Sequence, residues 1–252
     1  MKFLSAYFKR LLTSPLLYFS VLGTAAICFF GAYTEGNTSV IMSFNNALFI
    51  NSYRNMIVLL AALPFSAVYC REWNEKSSYY VVIRTSPVES IITYIVVQVT
   101  AAFLVTFLGM MLSVAILCIT LPELVDTSYV YTGTFTQFIN KEQGALYVLI
   151  LIFHYSVSVS AWSVSGLVIS AIFMNPYIAI CSPLVISYIL ELFTIGTGKY
   201  TDLWTLSISF STVSESPFLS SAYICMVFIF IGTIFSLLFS IIAGRRIRCE
   251  IT

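Results

Sequence analysis

Val68-Tyr69-Cys70-Arg71-Glu72-Trp73-Asn74-Glu75-Lys76-Ser77-Ser78-Tyr79-Tyr80-Val81-Val82-Ile83-Arg84-Thr85-Ser86-Pro87-Val88 is a run of mixed charge between two long apolar stretches. It holds three cations, Arg71, Lys76 and Arg84. Outward from it, cations cluster again only at the two ends of the chain. Lys2, Lys9 and Arg10 precede the first apolar stretch, and Arg245, Arg246 and Arg248 follow the last. Of the 12 lysines and arginines, only Arg54, Lys141 and Lys199 fall elsewhere. Short cytoplasmic loops of membrane proteins are enriched in Lys and Arg. The alternation therefore predicts an even number of membrane crossings, with residues 71–89 and both termini in the cytoplasm.

Composition agrees. The 252 residues are 59% hydrophobic and only 9% charged, with a mean hydropathy of +0.95. Soluble domains carry about 25% charged residues, and a chain this poor in charge could not cover a water-exposed surface. Barrel strands are short and alternating, whereas these apolar runs are long and continuous, so helices are expected. A spanning helix takes about 20 apolar residues. Six such spans with short loops nearly exhaust the length and leave no room for a soluble catalytic domain. The expected fold is all-α, a single transmembrane domain over residues 1–252, multi-pass in the cell membrane and solvated by the lipid bilayer.

A net charge of +1 gives no sign of a nucleic-acid partner. The six cysteines, Cys28, Cys70, Cys118, Cys181, Cys225 and Cys249, form no CxxC pair and lie mostly within or at the ends of apolar runs. They read as small buried hydrophobes. Residues 1–34 join a basic start to an apolar run, but no small-x-small cleavage site ends it, which favours an uncleaved first helix.

In residues 1–14, Phe3, Leu4, Tyr7, Phe8, Leu11 and Leu12 recur at helical spacing beside Lys2, Lys9 and Arg10, as in a helix lying in the membrane interface. Spans are then expected at about 16–33, 47–70, 90–121, 145–173, 177–195 and 221–243. The second is awkward. Its continuous apolar part, Met56 to Cys70, would cover only about 22 Å at 1.5 Å per residue, short of a hydrocarbon core of roughly 30 Å. It must begin upstream and carry Arg54 inside. Pro183 is expected to kink the fifth span. Outer loops are expected at 35–46, 122–144 and 196–220. The first holds the sequon pattern Asn37-Thr38-Ser39, and the last holds Trp204, a candidate interface anchor.

Ionisable groups inside a membrane are costly and often functional. Arg54, His154 and Glu191 fall at comparable depth in the outer part of the bilayer, at about 24, 27 and 21 Å from the inner ends of their helices. Two arrangements fit: an Arg54–Glu191 pair with His154 nearby, or three side chains reaching separately for the outer headgroups. The fourth span carries Ser156, Ser158, Ser160, Ser163, Ser165, Gly166 and Ser170. Small residues let membrane helices approach closely, so packing is one account, and a polar stripe along a path or subunit interface is the other. A serine protease would need its base on a neighbouring helix, yet the one histidine shares the serines' span. No metal-ligand cluster or carboxylate pair is evident, and no cofactor is expected.

The order of residues in the inner loop resembles the signature of type-2 ABC-transporter (ABC-2) permeases. There, an Arg-Glu-rich start leads through a glycine step and an aliphatic run to Thr-Pro-Val or Ser-Pro-Val before the third span. Here Arg71-Glu72, Glu75-Lys76, Val81-Val82-Ile83 and Thr85-Ser86-Pro87-Val88 match, while Ser77-Ser78 replaces the glycine step and Arg84 interrupts the aliphatic run. Phe8-Lys9-Arg10, Thr13-Ser14-Pro15 and Tyr18 resemble the opening of the gliding-motility and copper-processing branches. Residues 170–175 with Ala179 resemble the family's turn between the fourth and fifth spans.

The resemblance implies a permease subunit, an exporter with no ATPase site of its own. Arg71, Glu72, Glu75, Lys76, Arg84, Thr85, Ser86 and Pro87 would form its coupling loop. A separate ABC ATPase subunit would bind ATP and Mg, and a second permease subunit, identical or similar, would complete the path. Residues 1–14 would be a connecting helix. Gly196-Thr197-Gly198-Lys199-Tyr200 imitates part of a phosphate-binding loop, but that motif needs Gly at 193 and Ser or Thr at 200, where Phe and Tyr stand. Two rivals fit the same apolar chain, a non-transporting immunity or scaffold protein and an autonomous channel. Apolar walls do not name a substrate.

Overall fold

The computed structural model describes residues 2–33, 39–49, 51–75, 86–126, 135–209, 213–214 and 216–251. These are helical almost throughout, with no strand among them beyond an isolated parallel bridge between Ser39 and Glu123. The helices in chain order are α1 (Lys2–Thr13), α2 (Pro15–Tyr33), α3 (Val40–Phe49), α4 (Asn51–Ala62), α5 (Val68–Asn74), α6 (Pro87–Thr120), α7 (Thr136–Asn140), α8 (Gly144–Ile172), α9 (Pro176–Thr194), α10 (Leu203–Ser207) and α11 (Pro217–Ile251). Five of them, α2, α6, α8, α9 and α11, are long and apolar enough to cross a membrane.

Local chemistry sets several boundaries. Ser86 caps α6 by accepting from the backbone N–H of Glu89 at 3.2 Å, and Pro87 follows at the first turn, where its missing N–H is no loss. Asn175 and Pro176 repeat the device at the start of α9. Pro87 thus opens the long helix that the sequence places from about residue 90.

The helix expected for the second span is corrected. A single helix over 47–70 does not form. Pro64 has no N–H for a helical bond, and residues 63–67 turn between α4 and α5. With 12 residues, α4 reaches only about 18 Å. The outer loop expected through Asn46 is instead largely α3, whose Ile41, Phe44, Ala47 and Leu48 are buried. It is tied to the segment after α6 by Val40 N–H to Glu123 O (3.0 Å) and Ile41 N–H to Leu124 O (3.2 Å).

Helix α8 is the axis of the bundle. It packs against α11, α6 and α9, and 67% of its apolar window is buried against 17% for α11. Small residues permit the closest crossings. A Cβ on Gly166 would lie 2.8 Å from the Ala179 carbonyl oxygen and 2.8 Å from Ser66 Oγ, and one on Gly109 would lie 2.6 Å from Thr24 Cβ. The serines of α8 are buried, and each turns its hydroxyl onto its own helix. Ser156 donates to Ile152 O (2.7 Å), Ser163 to Ser160 O (2.7 Å) and Ser170 to Leu167 O (2.7 Å). Their geometry is that of packing.

The bundle has two distinct ends. One gathers α1, α5, the start of α6, the α8–α9 turn and the last turns of α11. The other gathers α3, the segment after α6, α7 and α10. They are called here the terminal end and the distal end.

Candidate functional site

At the terminal end, α5 presents two of the anticipated charges to solvent. Arg71 and Glu75 are exposed. Glu72, named with them in the coupling loop, is not. It is 5% exposed and faces inward, where its carboxylate collects three donors. The Tyr7 hydroxyl donates to Oε2 at 2.5 Å, the Tyr94 hydroxyl donates to the same oxygen, and Arg10 Nη1 donates to Oε1 at 2.6 Å. A buried charge needs such partners. Helical spacing explains the split, since Glu72 and the buried Tyr69 share one face of α5 while Arg71 and Glu75 share another. Burial, then the hydrogen bond to Glu72 and its charge, push the Tyr7 phenol well above its ordinary range, so Tyr7 stays a donor.

The other side of α5 is equally held. Trp73 stacks on Tyr69 with ring centroids 5.7 Å apart. The Arg246 guanidinium lies 6.0 Å from the Trp73 ring and donates to Ala171 O at 2.8 Å. Asn74 Nδ2 donates to Met174 O at 3.2 Å. One short helix thus touches α1, α6, the α8–α9 turn and α11. Of the remaining coupling residues, Ser86 and Pro87 form the N-terminus of α6, and Lys76, Arg84 and Thr85 lie outside the described residues.

The distal end holds the intramembrane candidates. Arg54 on α4 and Glu191 on α9 form an ion pair through Nη2 and Oε2, with side chains only 3% and 7% exposed. Arg54 Nη1 also donates to Ser207 Oγ at 3.3 Å, and its guanidinium lies 5.6 Å from the Trp204 ring. Trp204, read as an interface anchor, also helps enclose this charge. Asp202 sets the angle of α10 by capping the N–H groups of Trp204 (3.0 Å) and Thr205 (3.2 Å). His154 bonds to neither member of the pair. Its ring nitrogens meet Ser209 Oγ at 2.8 Å and Ser221 Oγ at 2.6 Å. Two links join it to the pair. Its neighbour Tyr155 donates to Arg54 O at 2.9 Å, and Ser207 and Ser209 stand two residues apart on one segment.

Sequence reasoning passed over Tyr7, Tyr94, Tyr155, Ser207, Ser209 and Ser221. For Tyr7 a signal existed, because it stands one turn before Arg10 on α1 and faces the apolar side. Nothing local marks the others, whose partners are distant in the chain. Among the described residues no group of His, Cys, Asp or Glu could hold a metal ion. No protein-family model matches the chain, and no curated protein or solved structure matches it.

Proposed function

We propose that this chain is the membrane-spanning subunit of a type-2 ABC transporter, an exporter driven by ATP hydrolysis on a separate ATPase subunit. In this reading it lies in the cell membrane with both termini and α5 in the cytoplasm. Six crossings result if the broken passage through α4, the turn at 63–67 and α5 serves as the second. ATP and Mg2+ belong to the ATPase, and a second permease subunit completes the path.

The observation that supports it is the seating of α5. The helix offers Arg71 and Glu75 outward, while Glu72, Trp73 and Asn74 tie its other faces to four separate parts of the bundle. A partner gripping the exposed charges would move α1, α6, the α8–α9 turn and α11 together. Bistable packed elements transmit such displacements as discrete shifts.

Affinity purification from native membranes, with an ATPase assay of the co-purifying protein, tests the assignment. An ABC ATPase should accompany the chain, and the double charge reversal Arg71→Glu with Glu75→Arg should separate hydrolysis from transport. A chain that co-purifies only with a non-ATPase protein is a scaffold. One that conducts ions without nucleotide is a channel.

A further inference from the structure

A groove of about 430 Å3 runs into the flank of the bundle between α6 and α11, with α8 as its floor. Its walls include Thr100 and Phe103 of α6, Ser160 and Ala161 of α8, and Phe228 and Gly232 of α11. All lie near the middle of their helices, far from both polar ends. The volume falls within the range of small-molecule sites, roughly 300–1,000 Å3.

We infer that this groove is a binding site for a lipid acyl chain, which enters sideways from the bilayer. Three observations select that occupant. First, no charged residue lines the groove. Second, its hydroxyl protons are already spent. Thr100 donates to Val96 O (2.8 Å), Ser160 to Ser156 O (2.5 Å), Thr233 to Ile229 O (2.7 Å) and Ser236 to Gly232 O (2.7 Å). The groove side chains thus keep acceptor lone pairs but offer no proton to a polar ligand group. Third, the mouth is continuous with the outward apolar faces of the helices that bound it, where Ile229 is 62% and Phe230 66% exposed. On a membrane-spanning bundle those faces meet hydrocarbon, and a void beside hydrocarbon forfeits the dispersion contacts that a chain segment would supply. Gly232 keeps the groove open, because a Cβ there would stand 3.5 Å from Ala161 in ordinary contact, and a longer side chain would occupy the space. The inference needs the bilayer setting of α6 and α11 and is independent of any transport activity.

Trp162 supplies the reporter. It is 1% exposed, follows Ala161, and its ring lies 6.2 Å from that of Phe228 on the groove wall. In a chain carrying Trp73→Phe and Trp204→Phe it is the sole tryptophan. After reconstitution into phosphatidylcholine vesicles brominated at mid-chain, Trp162 fluorescence should be quenched despite its burial. The groove-filling variants Gly232→Leu and Thr100→Leu, on opposite walls, should each abolish that quenching. A second reporter, Phe230→Trp in a chain also lacking Trp162, reads the outward face alone. Quenching at 230 with none at 162 overturns the inference and leaves the membrane placement intact. Quenching at 162 that survives either filling variant also overturns it, as does a shielded Trp162 accompanied by cross-linking between copies across α11, which would assign the groove to a second chain. No quenching at either position removes the bilayer setting and the inference with it.

Discussion

The two ends of the bundle each bury a carboxylate, and they solve the problem differently. Glu191 at the distal end is paired with one cation, Arg54, and both side chains are almost wholly enclosed. Glu72 at the terminal end is just as buried, but two of its three donors are neutral phenols, and its cation, Arg10, is 61% exposed. A sealed ion pair is weakly stabilising as a whole and strongly destabilising when halved, because the survivor keeps its desolvation cost. A carboxylate shared among neutral donors and a solvated cation can lose one partner and keep the rest. The distal end is thus built as a lock and the terminal end as an adjustable clamp.

Removing one half of the lock is the most severe way to break this contrast. Arg54→Ala or Glu191→Ala should each lower stability by about 3–5 kcal/mol, read as lost folded protein in detergent. Arg54→Met with Glu191→Met should recover most of it, whereas additive losses would mean that the pair is not coupled. Cutting the clamp should be milder. Glu72→Ala leaves the Tyr7 and Tyr94 hydroxyls seeking other partners, a loss of about 1–3 kcal/mol. Hydrogen exchange should then speed up across α1 while α3 and α4 stay protected. Matching exchange at both ends would erase the distinction between them.

Tyr155→Phe removes one neutral hydrogen bond to the Arg54 carbonyl. It should lower thermal stability by about 0.5–1.5 kcal/mol, with the Arg54–Glu191 coupling energy unchanged in a double-mutant cycle. The smallest effect belongs to Arg10→Ala. Its exposed guanidinium is screened by solvent, so the change should stay below about 1 kcal/mol. The difference from the parent chain should shrink further as salt is raised from low ionic strength. A large, salt-independent loss would make the terminal cluster a second lock.

Much of this was legible in the chain, and the exceptions share a cause. Residue spacing placed the ends of α2, α8 and α9 within a residue or two, because helical rise converts counting into length. The same conversion put Arg54 and Glu191 at one depth, although only the fold decides that α4 and α9 adjoin. Counting failed at Pro64. The apolar run Met56 to Cys70 looked like part of a span, and hydropathy cannot register that the backbone turns at 63–67. Counting also failed at Glu72. A charge beside Arg71 and near Glu75 and Lys76 looks solvated until Tyr7 and Tyr94, from other helices, are brought to it. Burial of a polar group depends on which distant donors arrive, and that information is tertiary.

The interruption at residues 63–67 bears on how the chain is assembled during synthesis. On the membrane reading proposed above, neither α3 nor α4 is long enough to partition from the insertion machinery into lipid unaided. Both pack against α2, already made, and α6, not yet made when α4 emerges, and α4 packs further against the still later α8 and α9. The stretch must therefore wait at the exit site until later helices arrive, so that truncation before residue 191 should leave Arg54 without Glu191, Trp204 and Ser207 and strand it in water rather than lodge it among its neighbours.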